Sequence, residues 1–177
     1  MRDRFDHATY LSLLERASQA RANRRFADLA AGPPPERFYI LRHDIDYSPR
    51  AGLELAELEA RRGYRASYFL LMHSRHCNLL EPRYAGLARR LVELGHEVGL
   101  HYEARFFLAF PPEQAERLLE AELALLSELA GERVVSIAMH QPGLNAEDPF
   151  RDHPRLINAY APRFARDIAY ISDSCRA

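Results

Sequence analysis

The sequence predicts an α/β fold, a parallel sheet of about five strands with helices packed outside it. Two observations carry this. From residue 38 onward short apolar runs alternate with amphipathic helical stretches, the signature of a parallel sheet with outer helices. The runs are also nearly continuous in apolar residues, as strands buried on both faces are. A length of 177 residues suits one domain, residues 1–177, with a sizeable core.

The elements follow in order. Residues 1–32 read as a leading helical segment: Tyr10, Leu11, Leu13, Leu14, Ala17, Phe26 and Leu29 fall at helical spacing, and Gly32 with Pro33, Pro34 and Pro35 stops it. Residues 38–41 are a first strand. Ser48 and Pro49 cap a helix that runs to about Arg62 and ends at Gly63. Residues 66–71 are a second strand and residues 82–94 a helix stopped by Gly95. Residues 97–100 are a third strand, and residues 112–130 a long helix stopped by Gly131. Residues 134–138 are a fourth strand. A Pro-rich connection with a short helix near 154–160 leads to a fifth strand at 168–171.

Composition excludes several function classes. Net charge is −1, which leaves no basic footprint for nucleic acid. All 24 basic residues other than His are Arg, so a Schiff-base lysine and a lysine phosphate loop are ruled out. Cys77 and Cys175 form no CxxC pattern, and a reducing compartment follows. The first thirty residues lack an uninterrupted apolar stretch, and no run approaches the roughly 18 residues of a membrane span. The expected location is cytoplasmic.

The polar residues gather where chemistry is expected. Parallel α/β folds place their sites at the carboxyl ends of strands. Here the strands are followed in turn by His43, Asp44 and Asp46; by His73 and His76; by His101, Tyr102 and Glu103; by His140; and by Asp173. Any one of these residues alone reads more readily as a hydrogen-bonded loop residue or a helix cap. Their convergence on one rim is harder to explain that way. His and Asp without a thiolate cluster suit zinc or another divalent ion with an open position for water. A neighbouring carboxylate suits a general base.

In order and spacing, "LRHDIDYSP", "GYRASYFLL", "GHEVGLHYE", "MHQPG" and "YISDS" resemble the polysaccharide deacetylase (NodB-homology, carbohydrate esterase 4-like) superfamily, nearest its divergent O-antigen-biosynthesis subgroup. The resemblance runs from about Phe38 to Ser174. It implies an irregular (β/α) barrel of the NodB-homology type, here incomplete at the C-terminus. It also implies metal-dependent removal of N- or O-acyl groups from a sugar or sugar conjugate in polysaccharide biosynthesis, with zinc as the expected ion. By position Asp44 is the implied base, and Asp46 and His101 are metal ligands. The second family His has no counterpart, because Arg105 stands four residues after His101. His140, where the family places an Arg that orients the base, is the candidate replacement; His73 and Glu103 are weaker ones. His43, His73, Tyr102, Glu103, Arg105, Pro142 and Asp173 are assigned to substrate or to support of the site. The family's late acidic His has no match. The missing strands would leave a sheet edge open to association, with oligomeric state undetermined. The competing readings are a sugar-binding or partner module that lost the chemistry and, last, a metal phosphoesterase.

Overall fold

The computed structural model describes residues 6–30, 35–74, 76–142, 147–162, 164 and 168–169. Its elements are α1 (His7–Ser18), β1 (Ala22–Arg24), a 3₁₀ turn (Ala27–Ala30), β2 (Phe38–Ile40), β3 (Arg42–Ile45), α2 (Pro49–Arg61), β4 (Ser67–Leu71), a 3₁₀ turn (Pro82–Tyr84), α3 (Leu87–Glu93), β5 (Glu97–Tyr102), α4 (Ala104–Leu108), α5 (Pro112–Ala130), β6 (Ser136–Met139) and β7 (Ile157–Asn158). Strands β3-β4-β5-β6-β7 form a parallel sheet in sequence order, and β1 and β2 form a separate parallel pair. This is the expected α/β architecture. The barrel is not closed among the described residues.

The register sorts the side chains into two faces. Arg42, Ser67 and Glu97 stand side by side, then Asp44, Phe69 and Gly99, with His101 beside Ala138. Strand alternation puts all of these on one face, the inner side of the incipient barrel. The opposite face carries Tyr68, Leu70, Val98, Leu100, Tyr102, Ile137 and Met139. These pack into the main core with Ala56 of α2, Leu87 and Leu91 of α3, and Leu119 and Leu126 of α5. The outer face is therefore almost wholly apolar, whereas the inner face mixes polar and apolar groups. Low on the inner face, buried Glu97 accepts hydrogen bonds from Ser67 and Ser136. Burial pushes its carboxyl pKa up.

Several helix boundaries fall where the sequence places them. Ser48 accepts a hydrogen bond from the Ala51 N–H at 3.2 Å, and Pro49 opens α2. Gly131 closes α5 with φ of 76°, a left-handed conformation that costs glycine little. Gly99 serves packing: a Cβ there would lie 2.4 Å from the Phe69 ring and 2.7 Å from Ser136 Oγ.

Other expectations are corrected. The leading helix ends at Ser18, and residues 22–24 form an edge strand instead. No large apolar side chain stands between Leu14 and Phe26, so a continued helix would have no face to bury, and pairing with β2 satisfies the backbone. The first strand is two strands: β2 pairs with β1, and β3, carrying the polar residues, pairs with β4. The helix expected at 82–94 breaks at Gly86 into a 3₁₀ turn and α3. The short helix near 154–160 is replaced by β7, whose Ile157 N–H bonds to the Val135 carbonyl at 2.9 Å. The sheet thus takes its fifth strand earlier in the chain. Of residues 168–171, Ile168 and Ala169 are not in a strand, and the other two lie outside the described residues.

One buried polar knot ties α1 and α2 to the sheet. Glu59 of α2 is fully buried. It accepts hydrogen bonds from the Tyr10 hydroxyl, from Tyr68 at 2.8 Å and from His43 Nε2 at 2.7 Å. Behind it, His96 Nδ1 accepts the Ala66 N–H at 3.0 Å, so Nε2 carries the proton and donates to the Ala56 carbonyl at 2.9 Å. Burial lowers the pKa of His96 accordingly. For Glu59, burial raises the pKa, but His43 and the two tyrosines outweigh it and hold the carboxyl below 4.5. A depressed carboxylate contributes stability above its unfolded pKa and loses it as pH falls through the folded value. Glu59→Ala is therefore expected to cost about 3–5 kcal/mol near neutral pH in urea melts, since it strands the buried Tyr68 hydroxyl and the half-buried Tyr10 and His43. The gap between variant and wild type should shrink as pH drops below 4.5. A gap that is independent of pH would contradict a charged Glu59.

Candidate metal centre

The site begins with His101, inside β5 and 2% exposed. Its Nδ1–H donates to the carbonyl of Ala138, its register partner in β6, at 2.8 Å. That bond fixes the tautomer and leaves the Nε2 lone pair facing the open end of the sheet. Asp46 arrives from the turn after β3. His140 arrives just after β6, its N–H bonded to the Tyr102 carbonyl at 2.8 Å. The next residue, Gln141, has φ of 49°, the one positive φ outside glycine among the described residues. Backbone strain of this kind collects at functional sites.

Three donor atoms form a nearly equilateral triangle. His101 Nε2 lies 3.2 Å from Asp46 Oδ1, His140 Nδ1 lies 3.3 Å from Asp46 Oδ1, and the two nitrogens are 3.2 Å apart. A tetrahedral ion with bonds of about 2.0–2.1 Å needs neighbouring donors about 3.3–3.4 Å apart. Asp46 Oδ1 is buried and makes no well-directed hydrogen bond, despite having two imidazoles at ion-pair distance. A shared cation satisfies such an orphaned oxygen. The donor set of two imidazoles and a carboxylate is the kind that zinc and other first-row divalent ions take in sites with an open position. Asp46, His101 and His140 are the one such group among the described residues. Burial raises the Asp46 pKa, but the two imidazoles outweigh it and hold the carboxyl below its usual value.

Asp44 stands beside the triangle, Oδ2 at 3.8 Å from His101 Nε2. Arg42, two residues earlier on the same face of β3, grips it with both arms: Nε to Oδ1 at 2.8 Å and a terminal nitrogen to Oδ2 at 2.7 Å. The guanidinium is itself held. It lies 4.4 Å over the Tyr160 ring and 5.3 Å over Phe69, and donates to the Tyr160 hydroxyl at 2.8 Å. The resemblance places the arginine that orients Asp44 at position 140, where this chain has His; the guanidinium that holds Asp44 comes instead from its own strand. The Arg-x-Asp spacing in a strand was the available signal; Tyr160, 118 residues away, gave none.

The other expected site residues disperse. His43 has outer-face parity and belongs to the Glu59 knot, stacked against Tyr68. Tyr102, also on the outer face, is buried among Phe107 and Phe150 and donates its hydroxyl to Asp148. His73 lies on the surface, 3.1 Å from Glu122 and edge-on to Phe106. Glu103 precedes α4 without capping it, Arg105 is exposed on α4, and Pro142 is exposed beyond His140. Asp173 is outside the described residues.

Neither a family model nor a curated protein matches the sequence. Solved structures do match. The peptidoglycan deacetylase PdaC from Bacillus subtilis is similar at 17% identity and a TM-score of 0.50, over 68% of this chain and 56% of that one. The Xyl-CE4 domain of a multidomain xylanase from the hindgut metagenome of Trinervitermes trinervoides is similar at 18% identity and a TM-score of 0.50, over 67% and 55%. A mutant of BA3943, a CE4 family pseudoenzyme from Bacillus anthracis, is similar at 14% identity and a TM-score of 0.50, over 67% and 42%. The chain thus spans about half the length of these proteins. At such identities the likeness speaks for the fold, and the fold of this chain is that of the family 4 carbohydrate esterases, the NodB-homology type.

Proposed function

We propose that this chain carries the metal centre of a hydrolase that removes an N- or O-acyl group from a sugar or sugar conjugate. The observation that carries the proposal is the triangle of Asp46, His101 and His140, with its orphaned buried oxygen and the clamped Asp44 at its side. Once bound, a divalent ion such as zinc would supply a Lewis acid that acidifies water and polarises an acyl carbonyl. Asp44 is the base: Oδ2 is the acceptor for the proton of the attacking water, and Arg42 holds the carboxylate in place for that transfer. Asp46 Oδ1, His101 Nε2 and His140 Nδ1 would hold the ion, and the Ala138 carbonyl keeps His101 in the required tautomer. His140 takes the place of the family's second metal His, and Arg42 that of the arginine which orients the base. The acylated-sugar substrate comes from the resemblance in sequence motifs, as do a role in surface-polysaccharide synthesis and a cytoplasmic location. No helix among the described residues is long and apolar enough to cross a membrane. A second reading, a sugar-binding module without turnover, draws on the presence of the same fold in a pseudoenzyme.

Elemental analysis and acetate release from acetylated oligosaccharides separate the two readings. The wild type is expected to bind one zinc or cobalt per chain and to release acetate. Asp46→Ala and His140→Ala should each weaken metal binding by more than about 100-fold. Asp44→Asn should keep the metal and lose about 10²–10⁴ in kcat. Metal binding without acetate release from any acetylated sugar would favour the second reading, and no metal binding would overturn the first.

Arg42→Leu should keep the metal and lower kcat by roughly 100-fold, because the base loses its orientation. Unchanged kcat would show that the clamp has no part in turnover.

A further inference from the structure

We propose that Asn158 is a positioning residue for Asp44, acting through Tyr160 and Arg42. This deepens the hydrolase reading and rests on it for the use of Asp44 as base. Asn158 ends β7 and is 1% exposed. Its side-chain oxygen accepts the Tyr160 N–H at 2.8 Å. Its amide nitrogen donates to the Phe150 carbonyl at 2.9 Å and to Asp148 Oδ2 at 3.1 Å, with the Tyr102 hydroxyl at 3.4 Å. Asp148 is fixed in turn by the Tyr102 hydroxyl and by the Phe150 N–H, the latter at 3.0 Å. One buried amide therefore ties the end of β7 to β5 and to residues 148–150.

The turn that follows decides where Tyr160 goes. β7 pairs Asn158 with Ile137, an outer-face position. Strand alternation would return Tyr160, two residues on, to that same face. The strand stops instead. An Asn side chain that accepts the N–H two residues later makes a turn, and the Ala161 N–H closes it on the Asn158 carbonyl at 3.0 Å. The Tyr160 ring then reaches Arg42 on the inner face. β3 and β7 are the opposite edges of the sheet, so this contact joins its two margins. Arg42 in turn holds Asp44 with both arms. Asn158 makes no hydrogen bond to Asp44 or to the three metal donors, so its effect on the base runs through Tyr160. Without its side chain the Tyr160 backbone is released, and the guanidinium loses the ring and hydroxyl that hold it.

Nitrogen NMR of arginine-labelled protein reads the Arg42 Nε–H, identified by its loss in Arg42→Leu, whether or not the protein turns over. Exchange of that proton with water is expected to be about tenfold faster, or more, in Asn158→Ala than in the wild type. Asn158→Ser keeps a short acceptor for the Tyr160 N–H. It should fall between the two, and it carries the same test if the alanine variant does not fold. Exchange at the wild-type rate in the folded variant overturns the proposal. On the zinc-loaded protein, Asn158→Ala should lower kcat about tenfold with KM and metal affinity unchanged. In an Arg42→Leu background it should cost nothing further. An equal loss in both backgrounds would mark a general loosening and overturn the role through Arg42. Faster exchange in a protein that releases no acetate supports the positioning of Asp44 and sinks only the hydrolase reading. Acetate release with Arg42 held as firmly in Asn158→Ala as in the wild type does the reverse.

Discussion

The site depends on one hydrogen bond, from His101 Nδ1–H to the Ala138 carbonyl. It joins two central strands, and it decides which imidazole nitrogen faces the open end of the sheet. In a neutral imidazole, an Nδ1 proton committed to a carbonyl leaves Nε2 as the acceptor. Asp46 and His140 then need only come within reach from the turns after β3 and β6. Both do so on short tethers, Asp46 one residue past its strand and His140 one residue past its own.

The two faces of the sheet divide the work. On the outer face, apolar side chains bind α2, α3 and α5, and the Glu59 knot locks α1 and α2 against β3 and β4. The inner face is free to carry charge because that outer packing supplies the stability. There Gly99 leaves room for the Phe69 ring, the Phe69 and Tyr160 rings both lie against the Arg42 guanidinium, and Arg42 holds Asp44. A methyl group added at Gly99 would act on the base through this relay without touching it.

Much of this was legible in the sequence. The β-α alternation, the Ser48-Pro49 cap, the Gly131 stop and the clustering of His and Asp at strand ends follow from local chemistry. The register was not legible, and register decides the rest. His43 and Asp44 are adjacent, yet one enters a buried knot and the other the site, because alternate residues take opposite faces. The same parity sends Tyr102 to the core and His101 to the inner face. The sparse apolar spacing around β1 fits either period, and pairing with β2 decides for the strand. β7 is two residues long, too short for any periodicity to show. The bond from Arg42 to Tyr160 joins distant positions that no local pattern connects.

The central claim is that His140 completes a metal centre with His101 and Asp46. X-ray absorption fine structure of the zinc- or cobalt-loaded protein reads the ligands directly. Two imidazole nitrogens at about 2.0–2.1 Å are expected in the wild type and one in His140→Ala. A wild-type spectrum with a single imidazole, or one unchanged by His140→Ala, would contradict the account.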